Sequence, residues 1–150
     1  MEYRSTGDDA YFAASNSEKG FTSYYKECFD TARIGYLYAI KGGPGTGKSR
    51  FMREVAQYAQ QRGWSAELIY CSSDADSLDG VILTKEGDGI ALLDATAPHV
   101  YEPTLPGVRE ELINLGAFWD RQKLQAYGEE IALLNRQKSR AYRNAYRYRR

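Results

Sequence analysis

The chain has 150 residues, of which 20 are basic and 20 are acidic, so its formal net charge at pH 7 is zero. Its two cysteines, Cys28 and Cys71, are too few for a disulfide framework and neither belongs to a C-x-x-C pair, which excludes the disulfide-rich secreted class. No apolar run is long enough to span a bilayer and no apolar leader is visible at the N-terminus, so we expect a cytoplasmic protein that is not embedded in a membrane.

The charge is divided unevenly along the chain. Residues 1–120 carry 11 basic and 18 acidic side chains (net −7), whereas residues 121–150 carry 9 basic and 2 acidic ones (net +7). We therefore predict a core over 1–120 and a basic helical extension over 121–150. The length suits one domain but is short for a complete doubly wound α/β domain, which predicts a fragment or a minimal version of the fold.

Residues 1–33 form an N-terminal segment ahead of the first long apolar run. Within it, residues 10–16 predict a short strand and residues 21–32 predict a helix, with Gly20 as the break between them. We expect this segment to pack over the site that the next motif forms.

The most informative pattern of the chain occupies residues 42–49. The sequence Gly-Gly-Pro-Gly-Thr-Gly-Lys-Ser satisfies G-x-x-x-x-G-K-[ST] in full, which is the Walker A pattern, or P-loop. Residues 34–40 are apolar and aromatic, as in a buried strand, and apolar residues recur at helical spacing after the loop: Phe51, Met52, Val55, Ala56 and Ala59. Strand, loop and helix together predict a nucleoside triphosphate site.

Each part of this loop has an expected role. The glycines permit backbone conformations that turn successive N–H groups towards phosphate oxygens. Lys48 is predicted to reach the β- and γ-phosphates, and the Ser49 hydroxyl to bind Mg²⁺. The predicted nucleotide-binding residues are Gly42, Gly43, Pro44, Gly45, Thr46, Gly47, Lys48, Ser49 and Arg50.

Three further strands are expected after the loop helix, which should end near Gly63. Residues 65–71 complete a strand–helix–strand unit with parallel strands. Residues 80–83 and 90–94 predict two strands that pair antiparallel, because only a short turn over 85–89 separates them.

The strand over 90–94 ends at Asp94, which is how a Walker B carboxylate is presented. We assign Asp94 to Mg²⁺, directly or through water; the alternative is a cap or turn after the strand. Ala95 follows where many ATPase motors carry a glutamate that polarises water, which argues against fast motor-type hydrolysis.

Acidic side chains follow the predicted strand over 65–71, and a histidine follows the predicted strand over 90–94. Asp74, Asp76 and Asp79 come after the second strand, and Asp74 is a candidate to orient water or accept a proton. The alternative is an exposed loop in which Asp and Ser form turns. His99, the single histidine, is a candidate to contact the γ-phosphate, sense its hydrolysis, or act as an acid or base. The alternative is a surface or core histidine without chemistry. Thr96 is a weaker candidate for the same neighbourhood.

The C-terminal third begins irregularly, with Pro98, Pro103 and Pro106, and residues 108–115 then predict a helix. From Leu124 onwards, apolar or small residues recur at alternating steps of three and four, which predicts a long helix with a heptad seam. Its seam is expected to dock on another protein. The arginines and tyrosines over 136–150 also admit a nucleic-acid interpretation, but the spacing favours a solvated face opposite a packed one.

The motifs together resemble a bacterial family of P-loop ATPases in which two P-loop halves are joined in tandem. The likeness rests on short segments along most of the chain: residues 11–16, 20–21, 42–49, 70–74, 77–80, 94–99, 106–108 and 113–116. It implies that this chain corresponds to the first half, and it brings no assigned reaction. Two residues depart from the family pattern, Ala95 where glycine is expected and Arg50 where many P-loops carry a second small hydroxyl residue.

The sequence therefore predicts an α/β P-loop NTPase domain, a three-layer α/β/α sandwich that is incomplete and carries a long C-terminal helix. The expected function is binding and hydrolysis of ATP, or another nucleoside triphosphate, with Mg²⁺. Two alternatives stay open: a small-molecule or nucleoside kinase that uses a carboxylate from 74–79 as base, and a non-catalytic nucleotide-dependent switch or scaffold. The expected partner is a second P-loop half or another subunit.

Overall fold

The computed structural model describes residues 9–17, 20–29 and 32–148 and has an α/β architecture with a mixed six-stranded sheet. The strands are β1 (Ala10–Phe12), β2 (Ala14–Ser17), β3 (Gly20–Ser23), β4 (Tyr36–Lys41), β5 (Ser65–Tyr70), β6 (Leu78–Lys85), β7 (Asp88–Asp94) and β8 (Glu110–Asn114). The helices are α1 (Tyr25–Phe29), α2 (Lys48–Gln60), α3 (Arg121–Ala126) and α4 (Gly128–Tyr148), with a 3₁₀ turn over Leu115–Phe118.

The order of strands in the sheet is β1-β5-β6-β7-β4-β8. Strand β1 pairs parallel with β5, and β4 pairs parallel with both β7 and β8. Strand β6 runs antiparallel to both of its neighbours, β5 and β7. The amino end of β6 therefore lies at the same edge of the sheet as the carboxyl ends of the other five strands. We call this the carboxyl edge.

The unit β4–α2–β5 agrees with the sequence prediction of a strand, a helix and a second strand parallel to the first. Met52, Ala56 and Ala59 are the buried residues of α2, and their spacing places them on one face of the helix. Gly63 follows the helix with φ of 78°, a conformation that favours glycine and ends the turn.

Strands β6 and β7 form the predicted antiparallel hairpin. Glu86 and Gly87 connect them with φ values of 54° and 95°, and positive φ at both central residues is the hairpin turn that matches the strand twist. The strand β6 is longer than the predicted 80–83, since it begins at Leu78 and every residue from 78 to 83 is buried. The polar residues Asp79 at the amino end and Thr84 and Lys85 at the carboxyl end hid this extension from the apolar pattern.

Both faces of the central sheet are covered. Val81 and Leu83 belong to the same buried cluster as Met52 of α2. Ile82, which points to the opposite face, packs in a second cluster with Phe29 of α1. The middle strands read as continuous apolar runs because neither face meets solvent.

Two predictions for the N-terminal segment are wrong. The single strand over 10–16 is interrupted at Ala13, because β1 joins β5 in the large sheet whereas β2 pairs with β3. The helix predicted over 21–32 is reduced to α1, and Gly20 begins a strand instead of separating two elements. Strand pairing thus overrides the local helical pattern. Residues 1–8, 18–19 and 30–31 of this segment lie outside the described residues.

The helix predicted over 108–115 is also wrong. Residues Glu110–Asn114 form β8, which adds to the open side of β4 from Leu37 to Lys41. The apolar residues of 108–115 happen to fit helical spacing, but β4 offers an unpaired row of backbone groups that a strand can satisfy and a helix cannot.

The long C-terminal helix is present, as predicted, but it begins at Gly128 and a shorter helix, α3, precedes it. The Asp120 carboxylate accepts a hydrogen bond from the Lys123 amide at 3.0 Å and caps α3. Nearly all described residues of α4 are exposed. Across the described residues, no helix combines the length and apolar character needed to cross a membrane.

Candidate functional site

The glycine-rich loop, residues 42–47, connects the carboxyl end of β4 to the first turn of α2. Gly45 and Gly47 have φ values of 76° and 85°, which L side chains rarely adopt. Gly43 lies close to an aromatic ring, since a Cβ there would lie 3.0 Å from Trp119 Cζ2 and the ring would have to shift slightly. Gly45 and Gly47 thus permit the backbone conformation of the loop, and Gly43 leaves room for the Trp119 ring beside it.

The Lys48 ammonium folds back over this loop. Its Nζ donates to the carbonyls of Gly42 and Gly43 at 2.9 and 3.0 Å. The same Nζ lies 3.5 Å from Asp94 Oδ2, and both side chains are largely buried, with exposed fractions of 11% and 16%. Because β4 and β7 are parallel neighbours, their carboxyl ends bring the lysine and the carboxylate together.

Thr96 connects the loop to the end of β7. Its hydroxyl donates to the Gly42 carbonyl at 2.7 Å and accepts from the Gly42 amide at 3.2 Å. Its own amide donates to Asp94 Oδ1 at 2.8 Å. Thr96 therefore fixes both the start of the loop and the orientation of the Asp94 carboxylate, a positioning role that the sequence analysis did not predict.

Ser49 and Arg50 follow Lys48 in the first turn of α2. The Ser49 hydroxyl accepts a hydrogen bond from the Leu78 amide at 2.9 Å, which ties the helix to the start of β6. Arg50 is exposed and pairs with Glu54 at 2.8 Å along the helix. Of these two predicted ligands, Ser49 is held inside the site and Arg50 lies at its margin.

A cavity of about 770 Å³ opens at the carboxyl edge next to these residues. Residues 44–50 of the loop and helix line it on one side, and Asp74, Asp94 and His99 line it elsewhere. The volume falls within the range of small-molecule sites. The structure therefore brings the loop, Asp94, Asp74 and His99 around one space.

The acidic loop after β5 divides into two kinds of residue. Asp74 and Asp76 are exposed, and Asp74 Oδ1 accepts from the Asp76 amide at 3.2 Å. This is the turn geometry expected from the alternative interpretation of that loop. Asp79 is instead 4% exposed and lies at the amino end of β6.

Asp79 faces His99 in the interior. Asp79 Oδ2 lies 3.0 Å from His99 Nε2, and the exposed fractions of the two side chains are 6% and 5%. The His99 ring stacks on Tyr25 with centroids 4.4 Å apart and an interplanar angle of 5°. Burial, followed by the charges of Asp79 and Asp94, raises the pKa of Tyr25 far above its ordinary value, so its hydroxyl remains a donor, and it binds the Asp79 carbonyl at 3.2 Å.

Cys71 completes this group. It follows β5 directly, and its amide donates to the Ser77 carbonyl at 2.9 Å. Possible ligand atoms of Cys71, Asp79 and His99 all lie within 4.8 Å of one another. Burial is the main reason that the pKa of the Cys71 thiol is raised, and Asp79 adds to it, while the Ser73 amide acts in the opposite direction.

Two parts of the site do not emerge from sequence reasoning. Cys71 has no ligand-type spacing in the sequence, yet it lies beside Asp79 and His99, and the available signal is that all three residues sit next to strand ends. The other part is a wall of the cavity that α4 contributes through Lys138, Tyr142 and Tyr146. Nothing in the sequence indicates where that helix lies.

Comparison with known proteins adds no assignment: no family model, no curated protein and no solved structure matches the chain. A functional assignment therefore depends on the loop motif and on the geometry of the carboxyl edge.

Proposed function

We propose that this chain binds a nucleoside triphosphate, ATP in the first place, together with Mg²⁺, and that it acts as an NTPase. The observation that carries the proposal is the G-x-x-x-x-G-K-S loop between β4 and α2, with Lys48 Nζ 3.5 Å from Asp94 Oδ2 at the end of the neighbouring parallel strand. A lysine and a carboxylate beside such a loop are the groups that hold phosphates and a metal.

The donor set fits magnesium. The Ser49 hydroxyl and the Asp94 carboxylate are hard oxygen ligands, and Mg²⁺ prefers oxygen. Asp94 Oδ1 is engaged by the Thr96 amide, which leaves Oδ2 directed towards Lys48. Mg²⁺ held by these two side chains would supply positive charge that offsets the negative charge of the phosphates.

Lys48 has to leave the Gly42 and Gly43 carbonyls in order to reach a phosphate. An ammonium group hydrogen-bonded to backbone carbonyls and near a carboxylate keeps its charge satisfied before ligand arrives. A phosphate oxygen offers a charged acceptor, which gives a stronger hydrogen bond than a carbonyl. We propose that Lys48 exchanges these partners on binding.

The proposal also includes a fold, the P-loop sandwich, and a family, the tandem P-loop ATPases. A sheet with helices on both faces supports an incomplete three-layer P-loop sandwich, and the motifs support membership in the tandem P-loop ATPase family. Ala95 supplies no base next to Asp94, so hydrolysis, where it occurs, is expected to be slow.

A partner is part of the proposal. Several apolar side chains of the C-terminal helices are exposed, among them Leu124, Ile131 and Leu134 with exposed fractions of 41%, 37% and 55%. A second P-loop half or another subunit would remove this surface from water. Sedimentation distinguishes these partners, since a stable dimer of this chain would identify the subunit as a second copy and contradict a separate P-loop half.

Calorimetric titration with Mg-ATP and Mg-GTP tests the nucleotide site. Lys48→Ala should weaken ATP binding by about tenfold to a hundredfold, because it removes a charge-assisted hydrogen bond worth about 1.5–3 kcal/mol. Lys26→Ala, on the exposed side of α1, is the matched control and should bind as the wild type does. Asp94→Asn should reduce the dependence of affinity on Mg²⁺.

A folded wild-type chain that binds neither nucleotide would contradict the proposal for this chain. If wild type and Lys48→Ala bound nucleotide with equal affinity, Lys48 would not be part of the nucleotide site.

A further inference from the structure

A second set of ligand-type side chains lies at the carboxyl edge, separate from Ser49 and Asp94. Cys71 follows β5, Asp79 is the second residue of β6, and His99 lies in the loop after β7. In the sheet, β6 stands between β5 and β7. Because β6 runs antiparallel to both, its first residues meet the loops that leave the two flanking strands. The topology thus gathers three residues that are distant in sequence.

We propose that Cys71, Asp79 and His99 bind a divalent transition-metal ion of the zinc type. A thiolate, an imidazole and a carboxylate are all common zinc ligands. Mg²⁺ takes oxygen ligands, so a site that includes sulfur and nitrogen selects against it. This metal site is distinct from the proposed magnesium site and does not depend on it.

The distances suit such an ion. Zinc bonds of about 2.0–2.1 Å to nitrogen or oxygen and about 2.3 Å to sulfur, in tetrahedral geometry, separate the ligand atoms by about 3.3–3.6 Å. The corresponding atoms here lie within 4.8 Å of one another, and the 3.0 Å between Asp79 Oδ2 and His99 Nε2 is slightly shorter than the zinc value. Small adjustments of the side-chain torsion angles would bring all three ligand atoms onto one ion.

One contact in the group is unusual for a buried pair. Despite the 3.0 Å separation from His99 Nε2, Asp79 Oδ2 has no partner in hydrogen-bond geometry among the described residues. A buried carboxylate oxygen needs a donor or a cation to compensate for the loss of water. The carboxylate orientation is the one a shared cation would explain.

The surroundings hold two of the ligands in place. Tyr25 stacks on the His99 ring, and its hydroxyl binds the Asp79 carbonyl. The His99 amide donates to the Thr96 carbonyl at 3.0 Å, which fixes the loop after β7. Such support around the ligands lowers the ordering cost of metal binding.

The site also has an open side. Three protein ligands leave a fourth tetrahedral position for water or a substrate atom. All three residues line the same cavity as Lys48 and Asp94, so this position faces the space in which a phosphate ligand would bind. A site with only three ligands and an accessible cavity resembles catalytic zinc sites more than closed structural ones.

Cobalt(II) is the probe for this site, because it replaces zinc and absorbs light. Titration of the full, chelator-treated chain with Co²⁺ should give a thiolate-to-cobalt charge-transfer band and visible bands typical of tetrahedral cobalt. Added Zn²⁺ should displace the cobalt, whereas millimolar Mg²⁺ should not. Lys48→Ala should bind cobalt as the wild type does, which separates this proposal from the nucleotide site.

The two cysteines give a matched pair of variants. Cys71→Ser should lose the charge-transfer band and weaken cobalt binding by more than about 100-fold, since even changes to the partners of metal ligands cost about 10–100-fold. Cys28→Ser should keep both, because Cys28 lies in α1 and outside the group. No cobalt binding, or the same spectrum from both variants, overturns the proposal.

A measurement on the wild type covers the case in which Cys71→Ser does not fold. Alkylation of each cysteine is followed by mass spectrometry with and without Zn²⁺. Zinc should slow the reaction of Cys71 and leave that of Cys28 unchanged. Equal protection, or no protection of Cys71, would overturn the proposal in the same way.

Discussion

Two buried carboxylates illustrate how differently the structure uses one kind of group. Glu110, at the start of β8, is 6% exposed, and Asp79, at the start of β6, is 4% exposed. Since β8 and β6 run in opposite directions, these residues lie at opposite edges of the sheet. A buried carboxylate is costly unless it is compensated, so each needs a physical explanation.

Glu110 is compensated by donors from the loop that leads to it. The amides of Thr104 and Leu105 both donate to Oε2 at 2.6 Å, and the Tyr101 hydroxyl donates to Oε1. Burial by itself raises the pKa of Glu110, but these hydrogen bonds outweigh it and the pKa is lowered from its ordinary value. This carboxylate organises the irregular segment over 101–109.

Asp79 has neighbours of another kind. A histidine and a thiol face it, and a cavity adjoins all three residues. Burial alone therefore does not indicate a site. A carboxylate saturated by local backbone donors supports the fold, whereas one surrounded by ligand-type side chains from other elements beside a cavity is a candidate for chemistry.

The largest expected effect comes from removing the Glu110 carboxylate. Glu110→Ala leaves the Tyr101 hydroxyl and two amides without their acceptor, and we expect it to lower the free energy of unfolding by about 3 kcal/mol. Urea denaturation measures this change. Cobalt binding by the folded variant should be unaffected. If Glu110→Ala strongly weakened cobalt binding and left stability unchanged, Glu110 would not be the structural carboxylate that we contrast with Asp79.

Glu111→Ala is the matched control for that experiment. Glu111 is the next residue of β8 and its side chain is exposed. We expect a change within about 0.5 kcal/mol, the usual range for surface substitutions.

An intermediate effect is expected at Gly80, which follows Asp79. A Cβ there would lie 2.5 Å from Phe29 Cζ and 3.2 Å from the Leu92 carbonyl, so Gly80→Ala must displace α1. We expect a loss of about 2 kcal/mol from overpacking, together with weaker cobalt binding because α1 carries Tyr25. Gly35→Ala, whose Cβ would only touch the Gly89 carbonyl at 3.6 Å, is the control. Unchanged cobalt binding in Gly80→Ala would show that α1 does not hold the ligands.

The smallest effect is a pH dependence. Because the pKa of Glu110 lies below its ordinary value of 4.5 in the folded chain, its contribution to stability is complete above about pH 4.5 and is lost as the pH falls through the folded value. Below pH 4.5, wild type should therefore lose stability more steeply than Glu110→Gln, by at most about 1.4 kcal/mol per pH unit for one proton. Parallel curves of unfolding free energy against pH would contradict this assignment.

Local pattern was sufficient for the middle of the chain. The strand, the glycine-rich loop, α2 and the β6–β7 hairpin were all predicted, because periodic burial and glycine-rich turns leave their signal within a few residues. The same reasoning placed Asp94 and His99 near the loop. It failed at residues 20–23 and 110–114, where strands form by pairing with partners that the local sequence does not reveal.

The sequence by itself determined the glycine-rich loop, since G-x-x-x-x-G-K-S is contiguous and its backbone conformations depend on its own glycines. Only the tertiary structure decided that Cys71, Asp79 and His99 meet. These residues come from three elements, and their proximity depends on the antiparallel direction of β6 between β5 and β7. Strand direction and neighbour choice are set by long-range pairing and burial, so no short window of sequence encodes that group.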